Sequence, residues 1–107
     1  MKYKSKIQDA LIDQLFEAIL CLWDTEECYR FFEDICTINE IKSLAQRLEV
    51  AKMLKEKKTY NEIAKETSAS TATISRVNRC LNYGAEGYNL VLDRLSTKKS
   101  ENEKYKK

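Results

Sequence analysis

The sequence predicts an all-α fold, and three features support that prediction. Pro is absent from the 107 residues and Gly occurs only twice, so few positions would interrupt a helix. Apolar residues recur three and four positions apart along most of the chain, which is the period of one helix face. Thr and Glu three residues apart form capping boxes at two places, as expected where helices begin. We therefore expect about six helices in a single domain over residues 1–96, with a disordered basic tail over residues 97–107.

The first helix is expected over residues 4–24, which carry two adjacent apolar stripes. Together the stripes are wider than the single stripe of a surface helix. This width favours a helix that packs between its own domain and a partner subunit, whereas the alternative is the central helix of a monomeric bundle. The two stripes consist of Ile7, Leu11, Leu15, Ile19 and Leu22, and of Ile12, Phe16, Leu20 and Trp23.

Capping residues place the next two helices. Thr25 can cap a second helix that runs to about Cys36 and has acidic residues in its first turn. Thr37 and Glu40 form a capping box that opens a long third helix, which runs to about Lys57. The first half of the chain is therefore expected to be three helices joined by short connections.

Charge is distributed unevenly along the chain. Residues 1–54 contain seven Lys and Arg against ten Asp and Glu, whereas residues 55–107 contain twelve against seven. The acidic residues concentrate between Asp9 and Asp34, so that surface should face away from DNA. The positive half suits the phosphates of double-stranded DNA, although a solvated lysine-rich tail explains part of its excess.

The four cysteines indicate neither a metal site nor disulfides. Cys21, Cys28, Cys36 and Cys80 lack the short spacing of zinc ligands, and there is no His to complete a mixed site. Cys21 and Cys36 fit small residues of the core. We see no signal peptide and no apolar run long enough to span a bilayer, so we expect a cytoplasmic protein without membrane contact.

Residues 59–82 have the pattern of a helix-turn-helix. Thr59 and Glu62 fit a capping box that opens a short helix with Ile63 at its first buried position. A run rich in Ser and Thr over residues 67–70 then breaks the helical period, because these hydroxyls bond nearby backbone groups. A second helix follows, and its apolar stripe consists of Ile74, Val77 and Leu81.

The opposite face of this second helix fits a major groove, because it carries short hydroxyls and cations and no carboxylate from Ser68 to Gly84. The alternative is an ordinary helix pair with solvated faces, and the turn often carries Gly where this chain has Ser68. Gly84 is expected to end the helix in a left-handed conformation, and a last helix should run from Ala85 to about Ser96. The predicted DNA-binding residues are Gln46, Arg47, Thr59, Asn61, Lys65, Ser70, Thr71, Ala72, Thr73, Ser75, Arg76 and Arg79.

The order of these elements resembles the Trp repressor superfamily and, within it, the TrpR-related proteins of the YerC/YecD type. The most specific part of the resemblance is the segment from Ala72 to Arg76, and the whole covers roughly Phe32 to Leu95. It implies an all-α, intertwined homodimer that binds palindromic operator DNA and represses transcription. Tryptophan is the co-repressor of the founding member.

The resemblance also implies a ligand pocket formed by a Thr and two Arg, and Thr37, Arg47 and Arg76 stand at those positions. Guanidinium groups stack well on aromatic faces. However, the family's Gly after the second Arg is Val77 here, and its small hydroxyl further along is Cys80. We therefore expect no cofactor, and in particular no tryptophan co-repressor, while the identity of any other effector is open.

The features together predict a sequence-specific DNA-binding regulator, a repressor by its resemblance, that acts as a homodimer. The alternative is a helical protein–protein interaction module without DNA binding, a role that the acidic first half could serve. Because the chain has no His, no Gly-rich phosphate loop and no recognisable catalytic motif, we do not expect an enzyme.

Overall fold

The structure is a computed structural model that describes the backbone of residues 1–105 and the side chains of residues 1–100. Within this part of the chain it consists of six α-helices without strands, which confirms the predicted all-α class. None of these helices is both long enough and apolar enough to cross a membrane. The helices are α1 Ala10–Ile19, α2 Thr25–Ile35, α3 Ile38–Lys55, α4 Tyr60–Thr67, α5 Thr71–Tyr83 and α6 Gly87–Tyr105.

The chain divides into two compact units, an N-terminal unit over Met1–Ile41 and a C-terminal unit that begins at Lys42. All buried side chains among the described residues belong to the C-terminal unit, where α4 packs against α5 and α5 against α6. The inward positions predicted for the helix-turn-helix at Ile63, Ile74 and Val77 are confirmed. The buried residues are Val50, Ala51, Met53, Ile63, Ala69, Ile74, Val77 and Leu92.

Both predicted capping boxes are formed. The backbone N–H of Thr59 donates to Glu62 Oε2 at 2.7 Å, and the N–H of Glu62 donates to Thr59 Oγ1 at 3.2 Å. Thr37 and Glu40 exchange the same two bonds, at 2.8 and 3.1 Å, at the start of α3. These bonds satisfy N–H groups that the first turn of a helix leaves without partners, and so fix where α3 and α4 begin.

The turn between α4 and α5 depends on Ser68, which adopts the left-handed conformation that Gly favours. Its φ is 61°, and its N–H donates to the carbonyl of Ala64 at 2.9 Å. The side chain of Ser70 then accepts from the N–H of Thr73 and caps α5. The absence of Gly from this turn therefore does not change its geometry, because Ser68 occupies the conformation directly.

The first helix is shorter than predicted. It begins at Ala10 rather than near residue 4, because the Asp9 side chain accepts the N–H of Ile12 at 2.8 Å and caps the helix there. It ends at Ile19 rather than at Asp24, which instead caps α2. Local capping by two aspartates thus overrides the longer apolar period of residues 4–24.

Gly84 caps the end of α5 as predicted, but its predicted left-handed conformation and the predicted start of the last helix at Ala85 were wrong. Gly84 has φ of −88° and ψ of −155°, so it is extended and not left-handed. A Cβ at this position would collide with the carbonyl oxygen of Cys80, so Gly is needed for a close backbone approach. The left-handed residue is Glu86, with φ of 68°, and the last helix begins after it at Gly87.

The last helix also differs from prediction at its other end. It continues to Tyr105, through residues 97–105 for which we expected disorder, whereas Lys106 and Lys107 lie outside the described residues. Lys, Glu and Ser in this stretch are compatible with a helix even without an apolar face. The end of the apolar period near Ser96 therefore does not mark the end of the helix.

The N-terminal unit has no buried residue in either α1 or α2. Cys21, predicted to be part of the core, is exposed, and Cys36 is only partly buried. Within a single chain the core prediction for these cysteines is therefore wrong, because the helices beside them, α1 and α2, bury no residue.

Replacing Ser68 by Gly should raise the free energy of unfolding by about 0.5–1 kcal/mol. Gly adopts the left-handed conformation without the Cβ clash, and part of that gain is offset by the greater freedom of Gly in the unfolded chain. Equilibrium unfolding in denaturant measures the change. As a matched control, Ser70→Ala should lower the free energy of unfolding by about 1 kcal/mol through loss of the cap. A Ser68→Gly protein less stable than the parent would contradict this account of the turn.

Candidate nucleic-acid interface

Helix α5 presents two different faces. Ile74 is fully buried and Val77 is 2% exposed, so this side anchors the helix in the core of the C-terminal unit. The opposite side is open to solvent along three turns and carries no carboxylate. The predicted residues on it are Thr71, Ala72, Ser75, Arg76 and Arg79, all of them exposed.

The start of α5 combines a cap with free donors. Ser70 Oγ accepts the N–H of Thr73 at 3.1 Å and donates its hydroxyl to Thr73 Oγ1 at 3.0 Å. The N–H groups of Thr71 and Ala72 come first in the helix, where no carbonyl of a preceding turn can accept from them. Together with the positive end of the helix dipole, these two donors suit a phosphate. Ser70 and Thr73, both predicted to contact DNA, therefore also hold the helix start in place.

The first helix of the pair contributes a second set of exposed polar side chains. Asn61 and Lys65 are both exposed and stand four residues apart, so they share one face of α4. Thr59 precedes them as the cap of the helix. The backbone N–H that Thr59 donates holds the pKa of the Glu62 carboxyl below its ordinary value, so this acid stays ionised near the interface.

Two predicted residues on α3 have roles that the sequence did not reveal. Gln46 is partly buried, and its Nε2 donates to the carbonyl of Thr67 at 2.9 Å, which ties α3 to the end of α4. Arg47 is also partly buried, and its Nε donates to the carbonyl of Ser43 at 3.4 Å, one turn back on its own helix. Gln46 thus positions the helix-turn-helix, and a direct contact of either residue with DNA stays a prediction.

The residues of the candidate effector pocket are spread over both units. Arg47, Arg76, Val77 and Cys80 belong to the C-terminal unit, and Thr37 belongs to the N-terminal unit, where it caps α3. Val77 lies in the core, as its place on the inward stripe predicts, whereas Cys80 is exposed. The branched side chain that replaces the family's Gly is therefore firmly packed.

Most of the chain matches a known protein family. The family model described as Trp repressor protein matches residues 10–96 of this chain. The chain belongs to the Trp repressor family. The predicted resemblance is therefore confirmed, and it extends further towards the N-terminus than the stretch from Phe32 that carried it in the sequence.

Several relatives of this Trp repressor family member are known. Over 96 residues the chain is 62% identical to the uncharacterized protein YerC of Bacillus subtilis (strain 168), an alignment that covers 90% of this chain and 92% of that protein. A crystal structure from Staphylococcus aureus, described provisionally as a Trp repressor, is 56% identical with a TM-score of 0.81, covering 83% of this chain and 89% of that one. A TrpR-like protein from Eubacterium eligens ATCC 27750 is 65% identical with a TM-score of 0.79, covering 80% and 89%.

These relatives establish a TrpR-related protein of the YerC type with the TrpR-like all-α fold. Membership of the Trp repressor family indicates a DNA-binding regulator rather than an enzyme.

Tryptophan should not bind measurably to this Trp repressor family member at millimolar concentration. Val77 is buried, and in the pocket that the family resemblance implies we expect its side chain to compete with a flat indole, since overpacking such a site costs about 1–3 kcal/mol. Titration calorimetry with tryptophan tests this, and the same titration on Val77→Gly shows whether the side chain is the reason. Saturable binding of tryptophan to the unmodified protein would overturn the argument.

Proposed function

We propose that this protein is a transcription regulator, and specifically a repressor, that binds a palindromic operator in double-stranded DNA as a homodimer. The proposal rests on the two sides of α5. One side is apolar and buried, and the other is exposed and carries hydroxyls and arginines without a carboxylate. A helix of this kind can enter a negatively charged major groove without electrostatic repulsion from its own side chains. Since its proposed partner is DNA, we place its action in the cytoplasm.

In this proposal the exposed residues divide into two groups by the chemistry of their side chains. The cations make phosphate contacts, which add affinity for any sequence. Short side chains at the start of α5 and the Asn of α4 read base edges, because Asn pairs with adenine and small groups can approach thymine methyls. The residues that contact phosphates in this proposal are Arg47, Lys65, Arg76 and Arg79. The residues that read bases are Asn61, Thr71, Ala72 and Thr73.

The homodimer is supported by the apolar surface of the N-terminal unit. Leu11 is 78% exposed, Leu20 is 83% exposed and Trp23 is 89% exposed, and α1 and α2 bury no residue at all. Large apolar side chains exposed together in one unit are typical of protein–protein interfaces. A second copy of the chain supplies a cover for this surface and also a second reading helix, which a palindromic site requires.

A groove in the C-terminal unit offers the matching surface on the second copy. It lies between the end of α3 and α6, has a volume of about 530 Å³ and includes Leu92 and Leu95 among its apolar residues. Four of its lining residues are lysines, against the acids Glu56 and Asp93. The acidic residues of α1 and α2 complement this charge, so we propose that α2 of one copy lies near the groove of the other. The lysines are Lys52, Lys55, Lys98 and Lys99.

The alternative function, a protein-interaction module without DNA binding, draws on the same acidic and apolar N-terminal unit. A second copy accounts for that surface without a further partner, and the acid-free face of α5 has no role in the alternative. An electrophoretic shift with genomic and random DNA separates the two functions, because only the regulator gives an affinity that falls steeply with salt.

Two substitutions should affect two different properties of DNA binding, its salt dependence and its sequence preference. Lys65→Ala should weaken binding to all sequences alike and lower the slope of log affinity against log salt by about one, because it removes one phosphate contact. Ala72→Leu should leave the salt slope unchanged and alter the preferred operator, at about 1–3 kcal/mol for each misread base pair. Selection from random DNA, combined with binding titrations over a salt series, measures both. An unchanged operator in Ala72→Leu would show that the reading face is assigned wrongly.

Two charge-reversed variants should dimerise only with each other. The first variant carries Lys52→Glu and Lys98→Glu in the groove. The second carries Glu33→Lys and Asp34→Lys at the end of α2, where the helix dipole favours cations. In a dimer of either variant with itself, α2 and the groove that it meets carry charges of the same sign at both contacts. In a mixed dimer, α2 and the groove carry opposite charges at both contacts. Co-expression with two different tags, followed by light scattering of the purified pair, should give a one-to-one dimer.

The result also separates the dimer from its proposed interface. If each variant alone forms dimers as stable as the parent, the groove is not the interface. If the parent protein is a stable monomer at micromolar concentration, the dimer itself is excluded, and the DNA-binding test still stands on its own.

A further inference from the structure

Tyr83, the last residue of α5, is almost completely exposed. Its side chain is 86% exposed, and its hydroxyl forms no hydrogen bond within the part of the chain that the structure describes. Tyr88, in the next helix, instead packs against the core. Single exposed apolar residues are common on protein surfaces. What distinguishes Tyr83 is its position on α5.

Tyr83 lies on the side of α5 that carries the proposed DNA contacts. Arg79, Arg76 and Ala72 precede it by four, seven and eleven residues. Eleven residues complete about three helical turns, so Tyr83 points in the same direction as Ala72. All four side chains are exposed and lie opposite the buried side of the helix. The proposed DNA-binding face of α5 therefore ends in a tyrosine.

The end of α5 that carries Tyr83 is held on both sides of this residue. Before it, Leu81 packs against the core, and its carbonyl accepts from Asn89 Nδ2 of α6 at 3.3 Å. After it, the N–H of Gly84 donates to the carbonyl of Cys80 at 2.9 Å. A tyrosine side chain has only two rotatable angles, so on this fixed backbone its hydroxyl is confined to few positions.

The surroundings of Tyr83 favour a nucleic acid over an apolar protein surface as its partner. The aliphatic residues of α5, which are Ile74, Val77 and Leu81, all pack in the core. The exposed side has arginines and hydroxyls, and the sequence has no carboxylate from Ser68 to Gly84. A protein interface usually has an apolar centre, which this side of α5 lacks. A phenolic hydroxyl among cations instead suits a charged phosphate oxygen.

We infer that Tyr83 is a further DNA contact, which donates its hydroxyl to a phosphate at the rim of the major groove, an inference that rests on the proposed function. Tyr83 lies about 16 Å along the helix axis from Ala72. The major groove is only about 12 Å wide and about 8.5 Å deep. If Ala72 approaches the base edges, a helix that crosses the groove or rises out of it brings Tyr83 to the phosphates.

The hydroxyl of Tyr83 is neutral, which gives this contact a signature that differs from that of a lysine or arginine. A cation releases counterions from DNA and so steepens the salt dependence of binding, whereas a neutral donor adds affinity without that effect. Because a phosphate is present at every base pair, the contact also adds no sequence preference.

The first test compares Tyr83→Phe with the parent protein on the selected operator and on random DNA. The variant should bind both about tenfold more weakly, because a hydrogen bond to a charged group is lost. The slope of log affinity against log salt should stay the same, whereas Tyr83→Lys should steepen it by about 0.9. As a matched control, Tyr29→Phe removes an exposed hydroxyl from α2 and should keep the parent's affinity.

The second test locates the phosphate. One phosphate of the operator at a time is replaced by a neutral methylphosphonate, and each duplex is titrated with the parent and with Tyr83→Phe. At one position in each half-site the replacement should weaken the parent about tenfold more than the variant, since only the parent has a hydroxyl to lose there. The free energy of unfolding of Tyr83→Phe should equal that of the parent, because the side chain is exposed.

Equal affinities of Tyr83→Phe and the parent would overturn the contact. So would losses that are the same for both proteins at every methylphosphonate, because the effect of Tyr83 would then not pass through a phosphate. If light scattering shows that Tyr83→Phe weakens the dimer while DNA affinity is unchanged, the tyrosine contacts protein and the inference is wrong. A parent protein that does not bind DNA at any salt concentration would instead refute the proposed function.

Discussion

The structure depends on apolar contact between α3 and the helix-turn-helix. Met53 of α3, Ile63 of α4 and Ile74 and Val77 of α5 are all buried in one cluster. Because the hydrophobic effect acts on area and not on direction, this cluster holds the helices together but does not fix the angle between α4 and α5. Hydrogen bonds do that: the left-handed Ser68 sets the turn, and Gln46 ties α3 to the carbonyl of Thr67. The exposed side of α5 is therefore presented by a rigid support.

Much of this support could be predicted from the sequence because its signals are local. The capping box of Thr59 and Glu62 joins residues three apart, and the stripe of Ile74 and Val77 falls within one helical turn. The bond between Gln46 and Thr67 joins residues 21 apart, so no spacing rule reveals it. Gln46 stays a predicted DNA-binding residue, and its partly buried amide has a further role in tying α3 to the turn.

The errors arose where one residue type serves more than one physical purpose. A Gly after a helix is most often left-handed, but Gly84 is extended and is required because the backbone at Cys80 comes close. An apolar stripe usually indicates burial, but the stripes of α1 remain open in a single chain, and Cys21 with them. Sequence patterns show that a residue avoids water or lacks a side chain, and they do not show which neighbour is the cause. For the residues that we propose read DNA, the sequence predicts the face of α5 that the structure leaves exposed.

The exposed apolar residues of the N-terminal unit also affect how the chain folds as it is synthesised. The described core draws only on residues between Val50 and Leu92, while the ribosome delivers the apolar helices α1 and α2 first. A C-terminal unit with its own core can fold at a rate independent of concentration. In the homodimer that we propose, α1 and α2 are covered only after a second copy is encountered, so their folding would be a second-order process. Before that encounter the exposed apolar residues of α1 and α2 would suit chaperones that bind such segments, and the acidic side chains would slow non-specific association of the chains.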